Sequence, residues 1–138
     1  MADSIEDDCF AIRQASRYVS HIYDKHLASV GLTTTQFSIL GRLKRLGPLT
    51  ASQLAEAMVM ERTTMVRAIQ PLHRDGLVTS TPSESDRRAH SIRLTELGAQ
   101  KLASAVIPWQ TAQEEFEQRF GTQRAASLRQ ELFALTRG

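Results

Sequence analysis

Thr63, Arg67, Gln70 and Arg74 stand at positions i, i+4, i+7 and i+11, so a helix through this segment sets all four along one stripe. The chemistry of that stripe suits nucleic acid. Arginine grips guanine with two parallel hydrogen bonds, glutamine pairs with adenine, and threonine binds phosphate or touches a thymine methyl. Arg62 and Thr64 flank the stripe, while Met65, Ile69 and Leu72 fall opposite and supply a core face. A solvated helix face can carry the same residues, so the stripe needs a second surface beside it. Further along, Asp86, Arg87 and Arg88 sit in a short polar connection, where adjacent arginines would enter a minor groove and Asp86 would brace one of them. Helix and connection together imply a polyanionic partner.

Other chemistries find little support. Ser, His and Asp are scattered without a nucleophile elbow, and there is no glycine-rich phosphate loop. His21, His26, His73 and His90 lack metal-ligand spacing, and the single cysteine, Cys9, excludes an internal disulfide framework and any CxxC site. An enzyme is therefore not expected, nor a cofactor. The composition, 41% apolar and 23% charged, fits a folded protein rather than a disordered one. No apolar run approaches the ~18–20 residues that span a bilayer, and the acidic start Asp3 to Asp8 is unlike a secretory signal, so a cytoplasmic protein with no membrane partner is expected. Net charge is only +2, but it is uneven. Residues 1–30 carry three basic and five acidic groups, whereas residues 41–93 carry nine basic and five acidic, so the middle is the part that attracts a polyanion.

The elements that must position these groups follow from periodicity. Ile12, Ala15, Val19, Ile22, Tyr23 and Leu27 predict an amphipathic helix from Cys9 to Val30, ended by Gly31. Thr33 or Thr34 caps a second helix with the stripe Phe37, Leu40 and Leu43, stopped at Gly47-Pro48. Thr50 with Gln53 has capping-box spacing and starts a short helix through Met58, on which Leu54 and Ala55 face inward. The helix carrying the stripe begins near Glu61 or Arg62, and Pro71 either kinks it or ends it early. Leu77 to Thr81 and His90 to Leu94 read as the strands of a hairpin that must pack on these helices. Thr95 caps a long helix through Phe116 with a bend at Pro108, and Gly121 precedes a last helix.

That order, mainly α with a small β-hairpin wing, describes a winged helix-turn-helix, flanked by dimerisation helices at both ends. The expected division is 1–31 for the first dimerisation helix, 32–95 for the winged helix-turn-helix and 96–138 for the C-terminal dimerisation helices. The outer helices carry apolar stripes beyond the winged module, and exposed stripes call for a partner copy.

With these motifs in place the chain resembles the MarR family of multiple-antibiotic-resistance-type regulators. The resemblance rests on Gly31-Leu32-Thr33 with Gln36, Leu54-Ala55 through Arg62-Thr63-Thr64, Asp75-Gly76-Leu77-Val78, Asp86-Arg87-Arg88-Ala89 and Leu94-Thr95-Glu96-Leu97-Gly98. It implies a homodimer with intertwined first and last helices reading a palindromic double-stranded operator, usually as a repressor of stress, efflux or catabolic genes released by a small ligand or by oxidation. Ser83 and Ser85 stand where members often have Asp and Arg, which implies a weaker wing contact.

Cys9 before Phe10-Ala11, its spacing to Leu32-Thr33, and Tyr23 resemble the subgroup that senses organic hydroperoxides through one N-terminal cysteine. Two further tyrosines of that subgroup correspond to Arg13 and Thr34 here, and the second cysteine of some members is absent. A helix N-terminus and Arg13 favour a reactive thiolate, whereas Asp7 and Asp8 oppose it. The other release route is a small aromatic or anionic effector between the dimer helices and the winged module, with Arg13, Arg17, Tyr18 and His21 as candidate liners. A winged module that binds protein instead of DNA is the competing class, because fold alone does not fix function.

Overall fold

The computed structural model describes residues 5–83 and 89–137. Asp7 opens α1 (Asp8–Leu27) by accepting the Phe10 N–H at 2.7 Å, and Lys25 and His26 complement the dipole at the other end. A 3-10 turn, Ala28–Val30, follows, and Gly31 exits it at φ 76°, a left-handed conformation that suits glycine. Thr33 and Gln36 then form a reciprocal capping box at the start of α2 (Thr34–Leu46). The Thr34 N–H also donates to Asp24 at 2.6 Å, tying α1 to α2.

Leu49–Thr50 forms a two-residue strand, β1, which the periodicity did not announce. It exists through pairing with a distant strand. Thr50 and Gln53 make the second capping box at the head of α3 (Ala51–Met58), and the chain turns at Val59 and Met60 into α4 (Arg62–Arg74). This helix does not end at Pro71 but continues to Arg74, although Pro71 leaves the Arg67 carbonyl without its usual intrahelical donor.

Strands β2 (Val78–Pro82) and β3 (His90–Leu94) pair antiparallel, and β1 adds to β3, giving the order β1-β3-β2. The register sets Val78 against Leu94 and Ser80 against Ile92. Pro82 is tolerated because β2 is an edge strand. The core lies beneath, where Leu27, Ile39, Leu40, Leu54, Met65 and Leu72 are fully buried. Each such side chain contributes about 1.5–3 kcal/mol of burial.

Thr95 caps α5 (Glu96–Ser104) as its position predicts, accepting from the Gly98 N–H at 2.9 Å while its hydroxyl donates to the Gly76 carbonyl at 2.7 Å. The single long helix expected beyond it is instead two. The break falls at Ala105, before α6 (Val106–Phe120), because Pro108 has no N–H for the Ser104 carbonyl and is accommodated only in the first turn of a new helix. Gly121, at φ 104°, separates α7 (Thr122–Arg137). Helix α1 packs along α6, held by a Tyr23 hydroxyl donating to Gln113 and by Lys25 and His26 gripping Glu115 at 3.1 and 2.8 Å.

Candidate nucleic-acid interface and effector cavity

The α4 stripe is built as its spacing requires. Met65, Ile69 and Leu72 are buried against the core, whereas Arg62, Thr63, Thr64, Arg67, Gln70 and Arg74 are all exposed. Leu54 and Ala55 of α3, also buried, seat α4 closely, and the small Ala55 side chain permits the approach. Arg62 Nε donates to Ser52 Oγ at 3.1 Å, which bridges the first turns of α4 and α3 and leaves the guanidinium's terminal nitrogens for another acceptor. Arg74 Nε lies 3.7 Å from an Asp75 oxygen, a loose contact between exposed groups that holds little of its charge back.

The turn feeding α4 stores strain. Val59 is 72% exposed yet sits at φ 53°, the left-handed region that a β-branched residue enters at a cost. The Met60 N–H reaches back to the Ala55 carbonyl at 2.8 Å and closes the turn. Asp86, Arg87 and Arg88 lie outside the described residues, and the Ser83 N–H donates to the Ala89 carbonyl at 2.9 Å.

A second feature lies on the other side of the winged module. A cavity of about 1010 Å³ opens between α1, α2, α5, α6 and the end of α7, in the upper size range of small-molecule sites. Phe37 and Trp109 stack across it with centroids 6.1 Å apart, and Tyr23 and Phe133 extend its aromatic wall. Arg42, Lys44 and Arg45 supply its cations, and none of its described liners is acidic. Burial first, then the neighbouring charges of Arg45 and Arg137, lower the Arg42 pKa from its ordinary value.

The effector residues expected from sequence separate here. Tyr23 lines the cavity, and burial, together with Glu117, raises the pKa of its hydroxyl. Arg13, Arg17, Tyr18 and His21 do not line it. All four are exposed on α1, and the Arg119 guanidinium covers the Tyr18 ring at 5.0 Å from its centroid. Cys9 is exposed in the first turn of α1. Sequence reasoning did not single out Arg42, Lys44 and Arg45, whose signal was three cations within four residues.

Helix α4 over α3, a wing beside it and an apolar helical frame can be set against known proteins. The MarR family model matches residues 32–90. The solved structure of the Mycobacterium tuberculosis transcriptional regulator MosR in complex with DNA shares 34% identity at a TM-score of 0.84, covering 96% of this chain and 95% of that one. The chain belongs to the MarR family.

Two named relatives are similar to part of the chain. The HTH-type transcriptional repressor NicR of Pseudomonas putida is 31% identical over 97 residues, 70% of this chain and 61% of its own length. The transcriptional activatory protein BadR of Rhodopseudomonas palustris is 28% identical over 92 residues, 64% of this chain and 53% of its own length. The chain thus matches little more than half the length of these two relatives. Among the described residues, no helix is long and apolar enough to cross a membrane.

Proposed function

We propose that this MarR-family chain is a sequence-specific regulator of transcription, without enzymatic activity, that binds a palindromic double-stranded operator as a homodimer. The observation that carries the reading is the exposed α4 stripe of Thr63, Arg67, Gln70 and Arg74 opposite a buried apolar face. Arg62 and Thr64 flank it, and Asp86, Arg87 and Arg88 are the residues this reading assigns to the neighbouring minor groove. The match to a regulator solved on DNA supports it further.

Dimerisation rests on α1, α6 and α7. Ile12, Phe116, Leu128, Leu132 and Phe133 line a groove between them, and Phe133 is 41% exposed, as is Phe10 of α1 at 48%. Such an apolar face calls for a second copy. The division into residues 1–31, 32–95 and 96–138 is accordingly one of dimerisation, reading and dimerisation parts.

The regulator acts as a repressor of stress, efflux or catabolic genes, released by a small ligand or by oxidation. For the ligand route, an aromatic anion fits the stacked Phe37 and Trp109 and the Arg42 cation that lines the same cavity. For the oxidation route, the exposed Cys9 is the reactive group.

The test is binding of the purified protein to promoter DNA beside its own gene at several salt concentrations, then with salicylate or cumene hydroperoxide added. Steep salt dependence and sequence selectivity are expected, because bound cations displace counterions from phosphate. Salt-insensitive or non-selective binding contradicts the reading and favours a protein-binding winged module.

A further inference from the structure

The wing's hold on the rest of the protein changes along its length. At its root Leu77, Val78 and Ile92 are buried, so packing sets the hairpin's position there. Beyond the Ser80 and Ile92 pair the register continues through Thr81 with Ser91 and Pro82 with His90. Thr81, Pro82 and His90 are exposed, and Pro82 has no N–H to give a ladder. Strand β3 is steadied by β1, which pairs with Ser91 and Ile92. Strand β2 is an edge and has no such neighbour.

What it has instead is a side-chain bond to the reading helix. His73 Nε2 and Ser80 Oγ are 2.7 Å apart, a short hydrogen bond between α4 and β2. His73 lies one turn beyond Gln70 and one residue before Arg74, on the side of α4 that faces the wing, next to the stripe. The two ends of the bond border a cleft of about 610 Å³ between helix and wing. Arg62, Gln70 and His90 also line that cleft, and its described liners include no carboxylate.

We propose that the His73 to Ser80 hydrogen bond is a strut that fixes the wing's angle to the recognition helix, making His73 a positioning residue for DNA held by both. The inference rests on the DNA-binding reading. A helix seated in a major groove and a hairpin tip in the next minor groove must arrive together, and a wing free to swing on its Val78 and Ile92 root pays its ordering cost on binding. An exposed bond contributes little to the stability of the folded chain, so its effect is confined to the DNA-bound state.

The test uses a duplex selected from a random pool by the parent protein, with affinity measured by fluorescence anisotropy. His73→Ala and Ser80→Ala are each expected to weaken binding roughly tenfold, the scale of one element ordered at binding instead of beforehand. The double variant is expected to lose no more than either single, because the two groups act as one bond. His73→Gln, whose amide reaches the same hydroxyl, is expected to restore affinity. Hydroxyl-radical footprints of His73→Ala should lose minor-groove protection at the flanks while dimethyl sulfate protection of major-groove guanines persists, with Tm and dimer mass unchanged. Single variants that bind like the parent overturn the strut, and so do losses that multiply in the double variant, since those would mean independent DNA contacts. A parent protein that selects no duplex overturns the DNA reading itself, a different result from a selecting parent with an indifferent His73→Ala.

Discussion

Alanine at Gly98 tests whether the C-terminal half of the chain is locked onto the root of the wing. Gly98 is buried in the first turn of α5, which Thr95 ties to Gly76 and so to the start of the hairpin. A Cβ there would lie 2.0 Å from the Leu77 carbonyl oxygen and 2.8 Å from Leu94 Cδ1. The leucine can rotate, but the backbone oxygen cannot, so α5 must lift or the chain at Leu77 must shift. Overpacking costs about 1–3 kcal/mol, and a backbone obstacle places this case near the top, about 3 kcal/mol. Alanine's better helix propensity offsets about 1 kcal/mol of that. The net loss of about 2 kcal/mol corresponds to a fall in Tm of roughly 6–8 °C for a chain of this length. Thermal unfolding followed by circular dichroism at one fixed protein concentration measures it. A Gly98→Ala protein as stable as the parent would refute the packing argument and leave helix propensity in control of the site.

Three further outcomes follow from other parts of the structure. Val59→Gly relieves a left-handed β-branched residue at a cost of about 1–2 kcal/mol but adds chain entropy worth about 0.5–1 kcal/mol, so urea unfolding should show a gain of roughly 0.5–1 kcal/mol, and a loss would contradict the strain. Hydrogen bonds from His26 and then Lys25 lower the Glu115 pKa, so its contribution is present above the ordinary glutamate range and lost as pH falls through the depressed value; Glu115→Gln should make stability fall less steeply on the acid side, and an unchanged acid limb would contradict that linkage. Salicylate should perturb the fluorescence of Trp109, the chain's one tryptophan, and Arg42→Ala should weaken its binding roughly ten- to hundredfold, whereas equal affinity in both proteins would place the anion elsewhere.

Local signals made much of the fold legible. Thr33 with Gln36 and Thr50 with Gln53 satisfy backbone donors within one turn, so their capping boxes could be read without tertiary knowledge, as could the breaks at Gly31 and Gly121. The α4 stripe was equally readable, because helical spacing alone sets Arg67 and Gln70 opposite Met65 and Ile69. What escaped depends on distant partners. Strand β1 is two residues long and forms only against β3. The break at Ala105 comes three residues before Pro108, where the carbonyl lacking a donor begins to matter. The cavity draws Tyr23, Arg42, Trp109 and Phe133 from four helices, so no single helix's pattern announces it, and Arg13, Arg17, Tyr18 and His21 are exposed on α1 outside its lining. Asp86, Arg87 and Arg88 lie outside the described residues.

Binding of a selected operator duplex by the parent protein and by Arg67→Ala, across a series of salt concentrations, tests the DNA-reading surface most directly. Arg67 is exposed in the middle of the α4 stripe, so its truncation should leave Tm and dimer mass unchanged. Loss of one guanine-gripping side chain costs about 1–3 kcal/mol, or roughly 5- to 150-fold in affinity, and relaxes selectivity at one base position. That result places the α4 stripe in the major groove. Unaltered affinity and selectivity in Arg67→Ala would remove the stripe from the interface and with it the assignment of α4 as the reading helix.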